Sequence, residues 1–319
     1  MPSTPTRTPR RNVFHRICEA RLEDFASQRP LRTGSLLISL FGDAIAPHGG
    51  EVWLGSLIDV LARFGVNQRL VRTTVFRLSK DGWLCAEQVG RRSFYRLDNT
   101  GHSRVTAASE RIYAAPTTQP TADWCIALLT GVEGTRRDEI RRELTWLGFA
   151  PLSPSVMLHP GLRQQRVDRA LTGLPGQAQV ITLRATADAS STDALRTQVI
   201  AAFDIDALTS RYRQFTERFA PALTAAKRVR RLEPGDAFVL RTLLIHEYRK
   251  IVLRDPLLPA SMLPSPWHGQ KAYHLCRDLY RTLDEPARAY LDEHFETRAG
   301  KWPRANAEFF RRFGGLGRD

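Results

Sequence analysis

The stretch Asn67–Leu97 leaves this chain few folding options. Asn67 suits a helix N-cap, and apolar residues recur at helical spacing as far as Lys80, where Asp81-Gly82 stops the pattern. Leu70, Val71, Val75 and Leu78 turn to one side of that helix. Trp83–Val89 and Phe94–Leu97 then read as two strands joined through Gly90-Arg91-Arg92-Ser93. Upstream, Phe14–Ala26 and Gly34–Ile45 carry helical patterns and Glu51–Trp53 an extended piece. Leu54–Phe64 is a further helix, closed by Gly65 as a left-handed C-cap. Helix, short strand, helix, turn, helix and ribbon is the order of a winged helix-turn-helix.

Charge gathers on the same stretch. Arg63, Arg69, Arg72, Arg77, Lys80, Arg91, Arg92 and Arg96 face only Asp81 and Glu87. With the apolar side inward, Arg69, Arg72, Thr73, Arg77 and Lys80 stay on the surface, and Asn67 and Gln68 sit at the tip. Asn, Gln and Arg read base edges with paired hydrogen bonds, and Thr can meet a phosphate or a thymine methyl. Arg91 and Arg92 fall at the hairpin turn, where a wing reaches the backbone or minor groove. Most charge runs are merely solvated faces, but this one coincides with the helix and turn that a DNA reader uses. Over the whole chain, 47 Lys+Arg against 33 Asp+Glu give a net charge of +14. That suits nucleic acid, an anionic membrane or a phosphate-bearing ligand, and it equally suits a basic proteome.

The remaining sequence divides at Ala114–Thr121 and, less distinctly, at Ala185–Thr192. Residues 1–13 read as a disordered basic tail, 14–113 as the winged-helix domain, 121–192 as a small α+β domain and 193–319 as a helical domain. In the central part Trp124–Leu129, Ser155–His159 and Val180–Leu183 are expected strands, and Arg136–Leu147 and Leu162–Leu171 expected helices. A split βαβ layout fits them. The longest C-terminal pattern runs from Asp236 to Arg254, before Pro256. Cys18, Cys85, Cys125 and Cys276 are widely spaced, which fits a reducing cytoplasm, and no apolar run approaches a membrane span.

Several longer stretches resemble the PaaX family, repressors of phenylacetic acid degradation. They are SLLISLFGDAIAPHGGEVWLGSLI at Ser35–Ile58, RTTVFRLSKDGWL at Arg72–Leu84 and GRRSFYRL at Gly90–Leu97. ELTWLGFAPLSPSVMLHP at Glu143–Pro160 and LRTLLIHEYRKIVLRDPLLPASMLPSPWHG at Leu240–Gly269 continue the likeness. The resemblance implies an α+β chain of three parts: the winged helix, a central ferredoxin-like domain resembling the Cas2 fold, and a helical C-terminal domain. It also implies a homodimer on double-stranded, pseudo-palindromic operator DNA, released by an aryl-coenzyme A thioester, usually phenylacetyl-CoA. Ser153-Pro154-Ser155 departs from the expected PG-containing turn, and the tail before Phe14 lies outside the shared pattern.

The effector residues are open to two readings. Thr242, His246 and Arg249 share one helix face, opposite Leu240, Leu244, Tyr248 and Ile251. Arg249 and Arg254 could pair with CoA phosphates and His246 could donate to a carbonyl. Alternatively, that face is the hydrated side of a helix packed only on the other. Trp267 and His268, in PSPWHG, suit a pocket wall or a loop plug equally. No cofactor and no metal are expected. His246-Glu247 lacks the second His of HExxH, replaced by Lys250, and Asp123 is a lone carboxylate where a Cas2-like nuclease would need a pair. GxSxG, Walker A and GxGxxG motifs are absent, so an enzyme is not supported. A metal-dependent nuclease and a ligand-independent DNA-binding protein are the alternatives.

Overall fold

Capping residues explain where the early helices begin. In the computed structural model, which describes residues 12–116, 123–161 and 164–317, Asn12 accepts the His15 N–H and opens α1 (Val13–Ala26). α2 (Thr33–Leu40) passes into a single π-helical turn at Phe41–Ile45. β1 (Glu51–Trp53) and α3 (Leu54–Ala62) follow, and Gly65 takes the left-handed backbone at φ 73°. Asn67 accepts the Leu70 N–H at 2.9 Å and opens α4 (Gln68–Lys80). β2 (Leu84–Val89) and β3 (Arg92–Leu97) form an antiparallel hairpin to which β1 adds, in the order β1-β3-β2. α5 (Asn99–Tyr113), capped by Asp98, was not expected. Its buried residues are only Gly101, Val105, Ile112 and Tyr113, too few to raise a helical pattern.

The chain divides into two compact units. One takes Pro116–Arg213 and Arg254–Gln270. Within it run β4 (Trp124–Leu128), α6 (Gly134–Trp146), β5 (Ala150–Ser153), β6 (Val156–Pro160), α7 (Gln164–Leu171) and β7 (Ile181–Ala185). The sheet order β5-β6-β4-β7, antiparallel throughout, is the ferredoxin-like arrangement. Cys125, Ala127, Ile140, Leu144, Met157 and Val167 form its core. β5 is an addition to the expected strands, short and interrupted by a register shift between Pro151 and Ser153. The Ser153-Pro154-Ser155 turn is held by Ser153 Oγ accepting the Ser155 N–H at 3.3 Å. α8 (Thr192–Ala202) and the start of α9 (Ile205–Ala226) also belong to this unit. Leu162, the expected start of α7, lies outside the described residues, as do Met1–Arg11 and residues 117–121 of the first break.

The other unit joins the described parts of Met1–Ala115, Gln214–Leu253 and Lys271–Asp319. It therefore packs α1–α5 with α10 (Pro234–Val252), most of α11 (His268–His294), the hairpin β8 (Glu296–Thr297) and β9 (Gly300–Lys301), and α12 (Ala307–Phe310). The segment expected as a separate helical domain is thus shared between the two units. α11, at 27 residues, outruns the expected longest helix. The expected hydrated face on α10 is corrected. Thr242 and His246 are as buried as Leu240 and Leu244, because α1 and α2 pack on α10 as well.

Four distant residues meet around Asp43, which the π-turn carries into the core. Its carboxylate accepts the hydroxyls of Tyr113 at 2.7 Å and Tyr280 at 2.9 Å. The guanidinium of Arg241 lies 3.1 Å from it and that of Arg312 3.2 Å. Arg241 also donates to Asp284, whose other oxygen takes Arg288. Phe313, buried with φ 54°, packs its ring against Tyr113 and Tyr280. Burial alone would raise the Asp43 carboxyl, but Arg241 and Arg312, helped by the two hydroxyls, hold it below the ordinary carboxylate range.

These burials give a two-step dependence of stability on pH. Burial, reinforced by the nearby Lys250 and Arg249, holds His246 well below its ordinary 6.5, and burial lowers His48 as well. The unfolded chain therefore binds more protons than the folded one as pH falls through 6.5. Stability is full above that value and declines below it. Asp43, held low, keeps its contribution until pH falls below 3.8. Urea midpoints are expected to drop between pH 7 and 5, and less steeply in His246→Gln. An identical slope in that variant would remove His246 from the effect.

Candidate nucleic-acid interface

α4 buries Val71, Thr74, Val75 and Leu78 and leaves Gln68, Arg69, Arg72, Thr73, Phe76, Arg77 and Lys80 exposed. The expected inward Leu70 is only half-buried. Each polar side chain is differently placed. Asn67 spends its Oδ1 on the helix cap. The amide oxygen of Gln68, oriented by its surroundings, accepts from Arg72 Nη2 at 3.1 Å and Nε at 3.2 Å, one helical turn on. Thr73 donates its hydroxyl proton back to the Arg69 carbonyl at 2.9 Å. Arg77 lies over the start of α2, where a Cβ on Gly34 would come within 2.8 Å of its guanidinium. Among the described residues none forms an ion pair with Arg69, Lys80 or Arg91.

The hairpin turn is tighter than expected. Val89 pairs with Arg92, so only Gly90 (φ 58°) and Arg91 form the turn, and Arg92 opens β3. Arg91 is exposed at the tip. Arg92 instead stacks 4.4 Å over the Trp53 ring and donates to Glu296 at 2.9 Å. Arg63 also leaves the cationic group, turning to Asp236 at 3.7 Å and the Tyr290 ring.

A clamp that sequence reasoning missed holds the sheet. Arg298, between β8 and β9, donates to both carboxylate oxygens of Glu87 on β2, at 2.6 and 2.8 Å, and twice to Glu51 on β1. Its backbone N–H adds a bond to Glu51, and the Glu296 N–H donates to Ser56 Oγ. Glu51 is held below its ordinary range first by Arg298. These partners lie more than 200 positions apart, so no local pattern announces them.

The proposed effector residues are not gathered into one unit. His246 and Arg249 lie in the unit of α4, whereas Arg254, Trp267 and His268 belong to the ferredoxin-like unit. His246 is fully buried, its Nδ1 3.0 Å from Ser39 Oγ and its ring edge-on to Phe25. Arg249 donates to Ser39 Oγ at 2.6 Å and to the carbonyl and hydroxyl of Ser35. Both fasten α10 to α2. Arg254 is exposed, and half-buried Trp267 meets Tyr212 edge to face at 5.6 Å. His268, also half-buried, starts α11. Asp123 is paired with Arg184 at 2.8 Å, and no group of three or more His, Cys, Asp or Glu side chains is placed to hold a metal ion among the described residues. No helix among them is long and apolar enough to cross a membrane.

This chain belongs to the PaaX-like family. The family's model of a PaaX-like protein matches residues 32–101, its central Cas2-like domain residues 119–197, and its C-terminal domain residues 203–293. The transcriptional repressor PaaX of Escherichia coli (strain K12) is 38% identical over 291 residues, covering 90% of this chain and 92% of that protein. Among solved structures, the uncharacterized protein Rv0674 from Mycobacterium tuberculosis aligns with a TM-score of 0.49 at 20% identity, over 83% of this chain and 98% of that one.

Proposed function

We propose that this chain is a DNA-binding transcription repressor whose elements β1 and α3–α5, with the β2–β3 hairpin, act as a winged helix-turn-helix. The observation that carries the reading is the exposed face of α4, where Gln68, Arg69, Arg72 and Lys80 stand clear of the core beside a hairpin tipped by Arg91. α4 enters the major groove and Arg91 contacts a phosphate. Arg92, held by Glu296 and Trp53, positions the hairpin more than it neutralises charge.

The repressor acts in the cytoplasm as a homodimer on a pseudo-palindromic operator of an aromatic-acid catabolic operon. β7 supports a self-association surface, being an edge strand with Ile181 and Leu183 exposed. An aryl-CoA thioester such as phenylacetyl-CoA releases the DNA by binding a conformation whose two heads miss the half-site spacing. In the ferredoxin-like unit, Arg254, Trp267 and His268 offer a cation, an aromatic wall and a donor for it. His246 and Arg249, already engaged, act by holding α10 on α2. No metal or cofactor takes part.

Selection of duplexes from a random pool, followed by anisotropy titrations at several salt concentrations, tests the reading. Replacing Arg91 with Ala is expected to shrink the salt slope by about one unit, and Arg92→Ala to shrink it less. Micromolar phenylacetyl-CoA is expected to release the complex. An intact complex would reject that effector, and failure to enrich any duplex would reject the DNA-binding reading.

A further inference from the structure

Phe76 is the one large apolar side chain on the outer face of α4, and it is 71% exposed. Positions 69, 73, 76 and 80 follow one another at helical spacing, so its ring sits in the middle of a stripe between Arg69 and Lys80. Arg72 and Arg77 flank it. The core has no use for this ring, since Val71, Thr74, Val75 and Leu78 already fill the buried side. Nor does it stack on any other ring among the described residues. Thr73, the preceding residue on the stripe, spends its hydroxyl proton on the Arg69 carbonyl. The centre of the stripe therefore presents carbon, while hydrogen-bond donors stand at its two ends.

The surrounding charge selects the occupant. A ring on a helix whose exposed residues include Arg69, Arg72, Arg77 and Lys80 fits a polyanion, and a DNA major groove combines phosphate walls with one apolar feature, the C5-methyl of thymine. We propose that Phe76 is a specificity-determining residue that reads a thymine methyl group at the centre of the α4 footprint. This inference rests on the assignment of α4 to the major groove. It adds a sequence preference that the basic residues alone would not create: thymine opposite the middle of the helix, with base-edge hydrogen bonds confined to the flanks.

The test removes only the methyl. In a duplex enriched by the wild-type protein, each thymine is replaced singly by deoxyuridine, and affinity is read by competition at one salt concentration. The wild-type protein is expected to lose about fourfold at one thymine or two adjacent ones, the factor for one buried methyl-sized group. Phe76→Ala is expected to bind the thymine and uracil duplexes equally, and Phe76→Leu to keep part of the difference. Because the ring is exposed, both variants should keep the parent melting temperature. Absence of any sensitive thymine in the wild type overturns the proposal, as does discrimination that survives in Phe76→Ala. If Phe76→Ala weakens both duplexes alike and the wild type does not discriminate, the ring is a general contact and the proposal fails. Failure of the wild type to enrich any duplex overturns the DNA-binding reading itself, a result distinct from the others.

Discussion

Asp43→Ala is expected to destabilise the protein by about 3–5 kcal/mol, the usual consequence of removing one partner from a buried ion cluster. The cause is what remains behind. Arg241 and Arg312 are both buried, and Asp43 is the carboxylate they share. Arg241 retains Asp284, but Arg312 is left without a carboxylate, against the Asp43 and Gly42 carbonyls, the Tyr280 hydroxyl and the Tyr113 and Phe309 rings. Tyr113 and Tyr280 lose a common acceptor. Asp43→Asn, which keeps an oxygen but loses the charge, should fall between the two. Because the cluster joins the π-turn, α5, α10, α11 and residues near the C-terminus, the loss should appear as global unfolding in urea. A change below about 1 kcal/mol, the range of an exposed pair, would contradict the cluster's structural role.

Arg72→Ala is expected to weaken binding to an enriched duplex by about 5- to 150-fold, or about 1–3 kcal/mol, the discrimination of one bidentate base contact. Affinity for a scrambled duplex should change much less. The difference between Arg72 and its neighbours is preparation. Gln68 holds the guanidinium one turn from the helix start, so less side-chain freedom is lost when it meets a base. Gln68→Ala should therefore produce a smaller loss of the same kind. Arg72 is exposed, and its removal leaves the core of α4 untouched. Equal weakening on both duplexes would assign Arg72 to phosphate instead.

Local chemistry made the α4 region legible. Asn67 and Gly82 bracket the helix in sequence as they do in the fold, and the apolar spacing of Val71, Val75 and Leu78 separates a packed side from a cationic one. α5 escaped notice because Asn99–Tyr113 is polar and its N-terminal turn contains Gly101, tucked beneath the Trp83 carbonyl where a Cβ would clash. Residues whose meaning depends on distant partners were harder to place. Arg92 reads as a free wing cation until Glu296 and Trp53 are brought to it. His246 and Arg249 read as one face of an amphipathic helix, yet the pairing of α10 with α2 makes that face interior. Nothing adjacent to Asp43 marks it as a core charge, since Tyr113, Arg241, Tyr280 and Arg312 come from four other segments. Phe76 stands outside the inward set Leu70, Val71, Val75 and Leu78, and only the observed exposure shows how far its ring lies from the core.

On the proposed reading, α4 makes this chain a sequence-specific DNA binder. The most direct measurement is the ratio of its affinities for an enriched duplex and a scrambled duplex of equal length, taken at one physiological salt concentration. A ratio of about 10³ or more is expected for a repressor of this kind. A ratio near one would contradict the account, leaving the basic face of α4 as a general polyanion surface.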